Sequence, residues 1–281
     1  MDTYRYQPVR YFVIVFVLTW IAWIVAAFLS VDEPEGIATL LLMLFGLFVP
    51  TFVTLYMVFT SKSPAIKQDL KKKLIGFYRV KPLSLLFAIA LMGAVIGASI
   101  LLSLLFGQST DQFSFAEGFS FSIGSVPTLL TLVLTATLED FGWRGYAQDS
   151  LANRYSWLKA TVIFGLLWGL WHLPLIFIHG TYQANILQMD PWFAVNFFVG
   201  IPPMAVLFTW VYIKNERSIL ACIVFHFFVN FLQELIAMTQ VTKCIETFVI
   251  YVVAALLVYF SKDMFLSTRH VGRLLEEDSA A

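Results

Sequence analysis

Six residues of this 281-residue chain have side chains suited to acid–base or hydrolytic chemistry and stand within long apolar runs. They are Glu139, Asp140 and Arg144 in TLEDFGWRGY, His172 in LLWGLWHLPL, and His226 with Asn230 in SILACIVFHFFVN. An ionised side chain at bilayer depth costs at least ~2.5 kcal/mol, so each needs a partner or a task. Four-residue spacing puts His226 and Asn230 on one helix face, about 6 Å apart. Asp140 and Arg144 have the same spacing, which suits an ion pair closing their helix and leaves Glu139, about 100° around the axis, to point elsewhere. Pro174 weakens the hydrogen-bond ladder beside His172.

A single membrane histidine is commonly an interhelical hydrogen bonder. Three helices that each bring an ionisable group make a chemically sufficient set instead. Glutamate and imidazole can hold and deprotonate a water, while a second imidazole and a carboxamide can donate to a developing oxyanion. Glu139, His172 and His226 are also permissible zinc ligands, although the chain has no HExxH. A proton-coupled transporter built on the same His, Glu and Arg is a further alternative, but no internal repeat accompanies it. Asn196, Gln233 and Glu234 read as interhelical hydrogen bonders or groups facing outer water, and His179 as a loop residue.

The elements that carry these residues follow from composition. Hydrophobic residues make up 59% of the chain and charged ones 13%, against about a quarter in soluble domains. Apolar runs near 11–30, 38–59, 83–106, 125–143, 158–178, 192–213, 218–238 and 245–261 are each long enough to cross the bilayer. The expected fold is all-α: a polytopic membrane bundle of about eight helices forming one domain over 1–281. Counted along straight helices from the basic ends, Glu139 and His226 fall roughly 10 Å deep and His172 roughly 20 Å, a mismatch that protrusion of the 150–160 segment would close.

Charge placement gives an orientation. Of the 18 basic residues only Lys243 falls on the side opposite the others, so both termini are expected to be cytoplasmic. The stretch 62–82 carries Lys62, Lys67, Lys71, Lys72 and Lys73 with Ile66, Leu70, Leu74, Ile75 and Phe77 at near-helical spacing. It reads as an amphipathic segment on an anionic cytoplasmic leaflet, or as a charge block that fixes topology. The neutral net charge gives no argument for a nucleic-acid partner; lipids are the expected surroundings. Cys222 and Cys244 are too far apart along helices for a disulfide. The first apolar run lacks a small-residue cleavage site and reads as a retained anchor.

At these strings the sequence resembles the CAAX-protease and bacteriocin-processing family of intramembrane endopeptidases, whose pattern is EExxxR, then FxxxH, then HxxxN or HxxxD. Glu139 falls on the first glutamate, Arg144 on the arginine, His172 on the first histidine, and His226 with Asn230 on the last motif. The motif region covers about 135–231. Asp140 stands for the second glutamate and Trp168 for the phenylalanine, and neither departure is expected to touch the reacting groups. The resemblance implies a multi-pass protein, of the plasma membrane in a prokaryote or the endoplasmic reticulum in a eukaryote. It would hydrolyse a peptide bond near the cytoplasmic face, as in removal of the three residues after a prenylated cysteine. Its partner would be a prenylated or membrane-associated peptide. It further implies Glu139 as general base, His172 positioning the water, and His226 and Asn230 stabilising the oxyanion, without a cofactor. Asp140 and Arg144 would support, with Arg144 also able to meet a substrate carboxylate. A non-catalytic or immunity-type member is the alternative within the family.

Overall fold

A computed structural model describes residues 5–118, 126–268, 271, 272 and 275. Residue 125 of the fourth apolar run, and Arg269 and Arg273 of the basic tail, lie outside the described residues. Every regular element among those described is a helix. Long helices are α1 (Pro8–Leu29), α2 (Ile37–Thr60), α4 (Pro82–Ser103), α7 (Trp157–Trp171), α9 (Pro191–Lys214) and α11 (Gln240–Phe260). By length and apolar composition these are the six that can cross a membrane, the fourth counted through the 3₁₀ turn Leu173–Phe177. Two shorter helices, α5 (Thr128–Gly142) and α10 (Ile219–Leu235), complete the eight apolar runs of the sequence. Short helices α3 (Pro64–Ile75), α6 (Gln148–Ala152), α8 (Tyr182–Met189) and α12 (Lys262–Phe265) lie between or after them. The chain is an integral, multi-pass membrane protein.

Outer surfaces of the long helices are apolar, as lipid requires: Phe28, Phe45, Phe87, Leu101, Phe248 and Leu256 all stand exposed. Their inner faces pack through small residues where backbones meet. Gly142 touches α2 so closely that a Cβ there would fall 2.4 Å from Pro50 Cβ.

α5 does not stop at residue 143, where the apolar run ends. It continues through a π-helical turn, Trp143–Ala147, into α6. A π turn breaks the i→i−4 ladder and leaves carbonyls that need other donors. Tyr11 and Thr54 hydroxyls donate to the Gly142 carbonyl at 3.0 and 2.9 Å. Tyr212 Oη donates to the Arg144 carbonyl at 3.1 Å, and Lys73 Nζ to the Arg144 and Gly145 carbonyls at 3.1 and 2.9 Å. The composite helix therefore runs on to Ala152, so that Glu139 stands further from its end, counted along the axis, than a span closing at residue 143 would put it. α10 also begins inside the protein, since Asn215, Ser218 and Ile219 have no exposed surface.

Lys73 belongs to a charge network that the amphipathic reading of 62–82 did not announce. Ile66, Asp69, Leu70 and Lys73 of α3 are buried, while Ile75 and Phe77 are exposed. Lys73 Nζ lies 2.8 Å from Asp149 and 3.3 Å from Asp69. Arg217 grips both oxygens of Asp69 at 3.0 and 2.7 Å and reaches Asp149 at 2.5 Å. The network ties α3, α6 and the α9–α10 turn into one block with matched charges. Removing one member strands an opposite charge, so Asp149→Asn is expected to cost about 3–5 kcal/mol in reversible unfolding in detergent. A loss under about 1 kcal/mol would show that the block does not lock this end. Burial pushes the Asp69 carboxyl up, but Arg217 and Lys73 outweigh it and hold the group down at about 2. Its stabilisation is complete above the ordinary carboxylate pKa of about 3.9 and is lost as pH falls toward about 2.

Candidate active site

The six candidate residues come together, but in two layers. Glu139, His172, His226 and Asn230 line one cavity of about 270 Å³ between α5, α7, α9, α10 and α11. Asp140 and Arg144 lie behind it with no exposed surface and do not line it. The π turn and the four-residue spacing aim the latter pair inward, and Arg144 Nη1 meets Asp140 Oδ1 at 2.6 Å.

Arg144 is otherwise enclosed by aromatic faces, 4.6 Å from the Phe208 ring centre, 5.2 Å from Phe164 and 5.4 Å from Trp168. Cation–π attraction and the single carboxylate balance the buried guanidinium. So placed, Arg144 stands outside the cavity wall, paired with Asp140.

Each reactive group has a defined neighbour. Trp168 Nε1–H donates to Glu139 Oε2 at 2.8 Å. The Trp168 carbonyl accepts from His172 Nδ1 at 2.8 Å. A carbonyl only accepts, so Nδ1 carries the hydrogen and the neutral ring keeps Nε2 as an acceptor. His226 Nδ1 meets Asp140 Oδ2 at 2.9 Å, and here too an acceptor-only oxygen places the hydrogen on Nδ1. Asn230 lies one turn beyond His226 on the same wall.

These contacts overturn the expectation that the two departures from the family pattern touch nothing reactive. The Trp168 indole holds Glu139 and Asp140 holds His226, whereas the carbonyl that meets His172 is backbone and does not depend on the side chain at 168. An indole nitrogen four residues before a histidine reads in a sequence as apolar bulk, and its hydrogen bond becomes visible only when α5 and α7 are packed. Among the described residues no group of three or more His, Cys, Asp or Glu side chains stands at metal-holding distances.

Beyond these residues the cavity runs toward α8 and the first turns of α11, where Asn196, Gln233, Glu234, Lys243 and Glu246 share its wall. Gln233 Nε2–H donates to Glu246 Oε1 at 2.5 Å. Glu246, with 3% of its surface exposed, was missed in the sequence because it stands where the polar start of α11 passes into apolar residues. This half of the bundle is the one away from α3 and the basic loops.

Similarity to known proteins agrees with the motifs. Residues 120–232 match the sequence model of the Rce1-like family, described as type II CAAX prenyl endopeptidase. CAAX prenyl protease 2 of Methanococcus maripaludis is 44% identical over 265 residues, which cover 94% of this chain and 98% of that protein. With the motif residues brought to one intramembrane chamber and likeness extending over nearly the whole chain, this protein belongs to the Rce1-like family of type II CAAX prenyl endopeptidases, a family of membrane proteases.

Proposed function

We propose that this protein hydrolyses the peptide bond after a prenylated cysteine and releases the C-terminal tripeptide, using a water activated by Glu139. The observation that carries this reading is the shared cavity of Glu139, His172, His226 and Asn230, with both imidazoles fixed through Nδ1. Glu139 Oε2 takes the Trp168 N–H, which leaves Oε1 to accept a proton from water. His172 Nε2, as an acceptor, orients the same water. Attack on the carbonyl carbon creates an oxyanion, which the Asn230 amide and the His226 ring, held through Nδ1 by Asp140, stabilise. Glu139 then returns the proton to the departing amine.

The reaction proceeds on protein groups alone. Purified protein should cleave a farnesylated CAAX peptide with undiminished rate after exhaustive chelation, read by release of the tripeptide. Loss of activity that zinc restores would replace the glutamate mechanism by a metal one. No cleavage of the peptide under any condition would leave a scaffold or a transporter as the better account.

A further inference from the structure

The peptide released by such a cleavage carries a free terminal carboxylate, and that anion enters a chamber at bilayer depth where an unpaired charge is costly. Arg144 is sealed behind the wall, so the counter-charge must come from elsewhere. Apart from the two imidazoles at the reacting bond, Lys243 is the cationic side chain that lines the cavity. It is also the single basic residue of the chain that the charge pattern of the spans does not explain.

Its surroundings suit an anchor. Lys243 is half-buried in the first turn of α11, with Nζ 3.5 Å from Tyr182 Oη and 5.0 Å from the centre of that ring. Asn196 Nδ2 donates to the Lys243 carbonyl at 3.3 Å and fixes the backbone from α9. Among the described residues no carboxylate lies within ion-pair distance of the ammonium. Glu246, three residues further along, is hydrogen-bonded by Gln233 and feels the Lys243 charge from beyond ion-pair distance. From the reacting end, ring contacts step from His172 to Phe197 at 5.6 Å and from Phe197 to Tyr182 at 6.3 Å. With the further 5.0 Å from the Tyr182 ring to Nζ, these steps trace the wall between the reacting end and the ammonium, of which three extended residues, roughly 10 Å long, cover the greater part.

We infer that Lys243 binds the terminal carboxylate of the substrate and so measures the three residues beyond the cleaved bond. The inference rests on the proposed cleavage after a prenylated cysteine. A farnesylated peptide with a free C-terminus and its C-terminal amide, each offered to wild type, Lys243→Gln and Lys243→Arg, test it by kcat/KM. Wild type should prefer the acid by about tenfold or more, the scale of a hydrogen bond to a charged group. Lys243→Gln should lose that preference while cleaving the amide as wild type does, and Lys243→Arg should keep it. Cleavage of the acid with a preference unchanged in Lys243→Gln overturns the anchor alone. Failure of wild type to cleave either peptide overturns both the anchor and the reading beneath it. Equal loss on acid and amide in both variants marks Lys243 as merely structural and also overturns the anchor.

Discussion

Glu139→Gln is expected to lower kcat on a farnesylated CAAX peptide by about 10³-fold while leaving the fold in place. The amide oxygen of glutamine can still accept the Trp168 N–H that reaches Glu139 at 2.8 Å, so the α5–α7 contact survives. What disappears is the second oxygen's ability to take a proton. KM should change little, because Glu139 is proposed to act on water rather than on the peptide. Glu139→Ala should be at least as inactive and less stable, since it also strands the indole N–H in a buried wall. Activity of Glu139→Gln above a tenth of wild type would remove Glu139 from the role of base.

Asp140→Asn should fail for a different reason, and in both stability and rate. Its carboxylate has no exposed surface and answers two groups at once, Arg144 at 2.6 Å and His226 at 2.9 Å. Without it the guanidinium keeps only aromatic faces, and removal of a buried ion's partner costs about 3–5 kcal/mol. An asparagine is also neutral, so the His226 ring loses the carboxylate that holds and polarises it toward the oxyanion. A second-row group of this kind is worth about 10–100-fold in rate. The measurement is thermal unfolding together with kcat; a variant as stable as wild type would show that Arg144 needs no counter-ion. A stable, fully active variant would also free His226 from any dependence on Asp140.

The separate sensitivities of these residues explain what a sequence can disclose. Glu139, His172, His226 and Asn230 were legible because hydrocarbon excludes such groups, so their presence in apolar runs already asks for a shared purpose. Helices were legible for the same reason: about 20 apolar residues have few alternatives in lipid. Lys73, Asp69, Asp149 and Arg217 were not, because basic and acidic residues between spans look like solvated loops until α3 is folded against the π turn. For Arg144 the spacing gave the ion-pair partner, Asp140, but not the wall of Phe164, Trp168 and Phe208 around it.

The π turn at Trp143–Ala147 also bears on which insertions and deletions the gene can tolerate. A π turn holds one residue more than the α turn it replaces, so deleting one residue there restores a regular helix with the two halves still in phase. A deletion in the regular turns between Glu139 and Trp143 would instead swing Glu139 by about 100°, toward a neighbouring backbone or lipid. Within this composite helix the π turn is the place where residue count can change by one without turning the site.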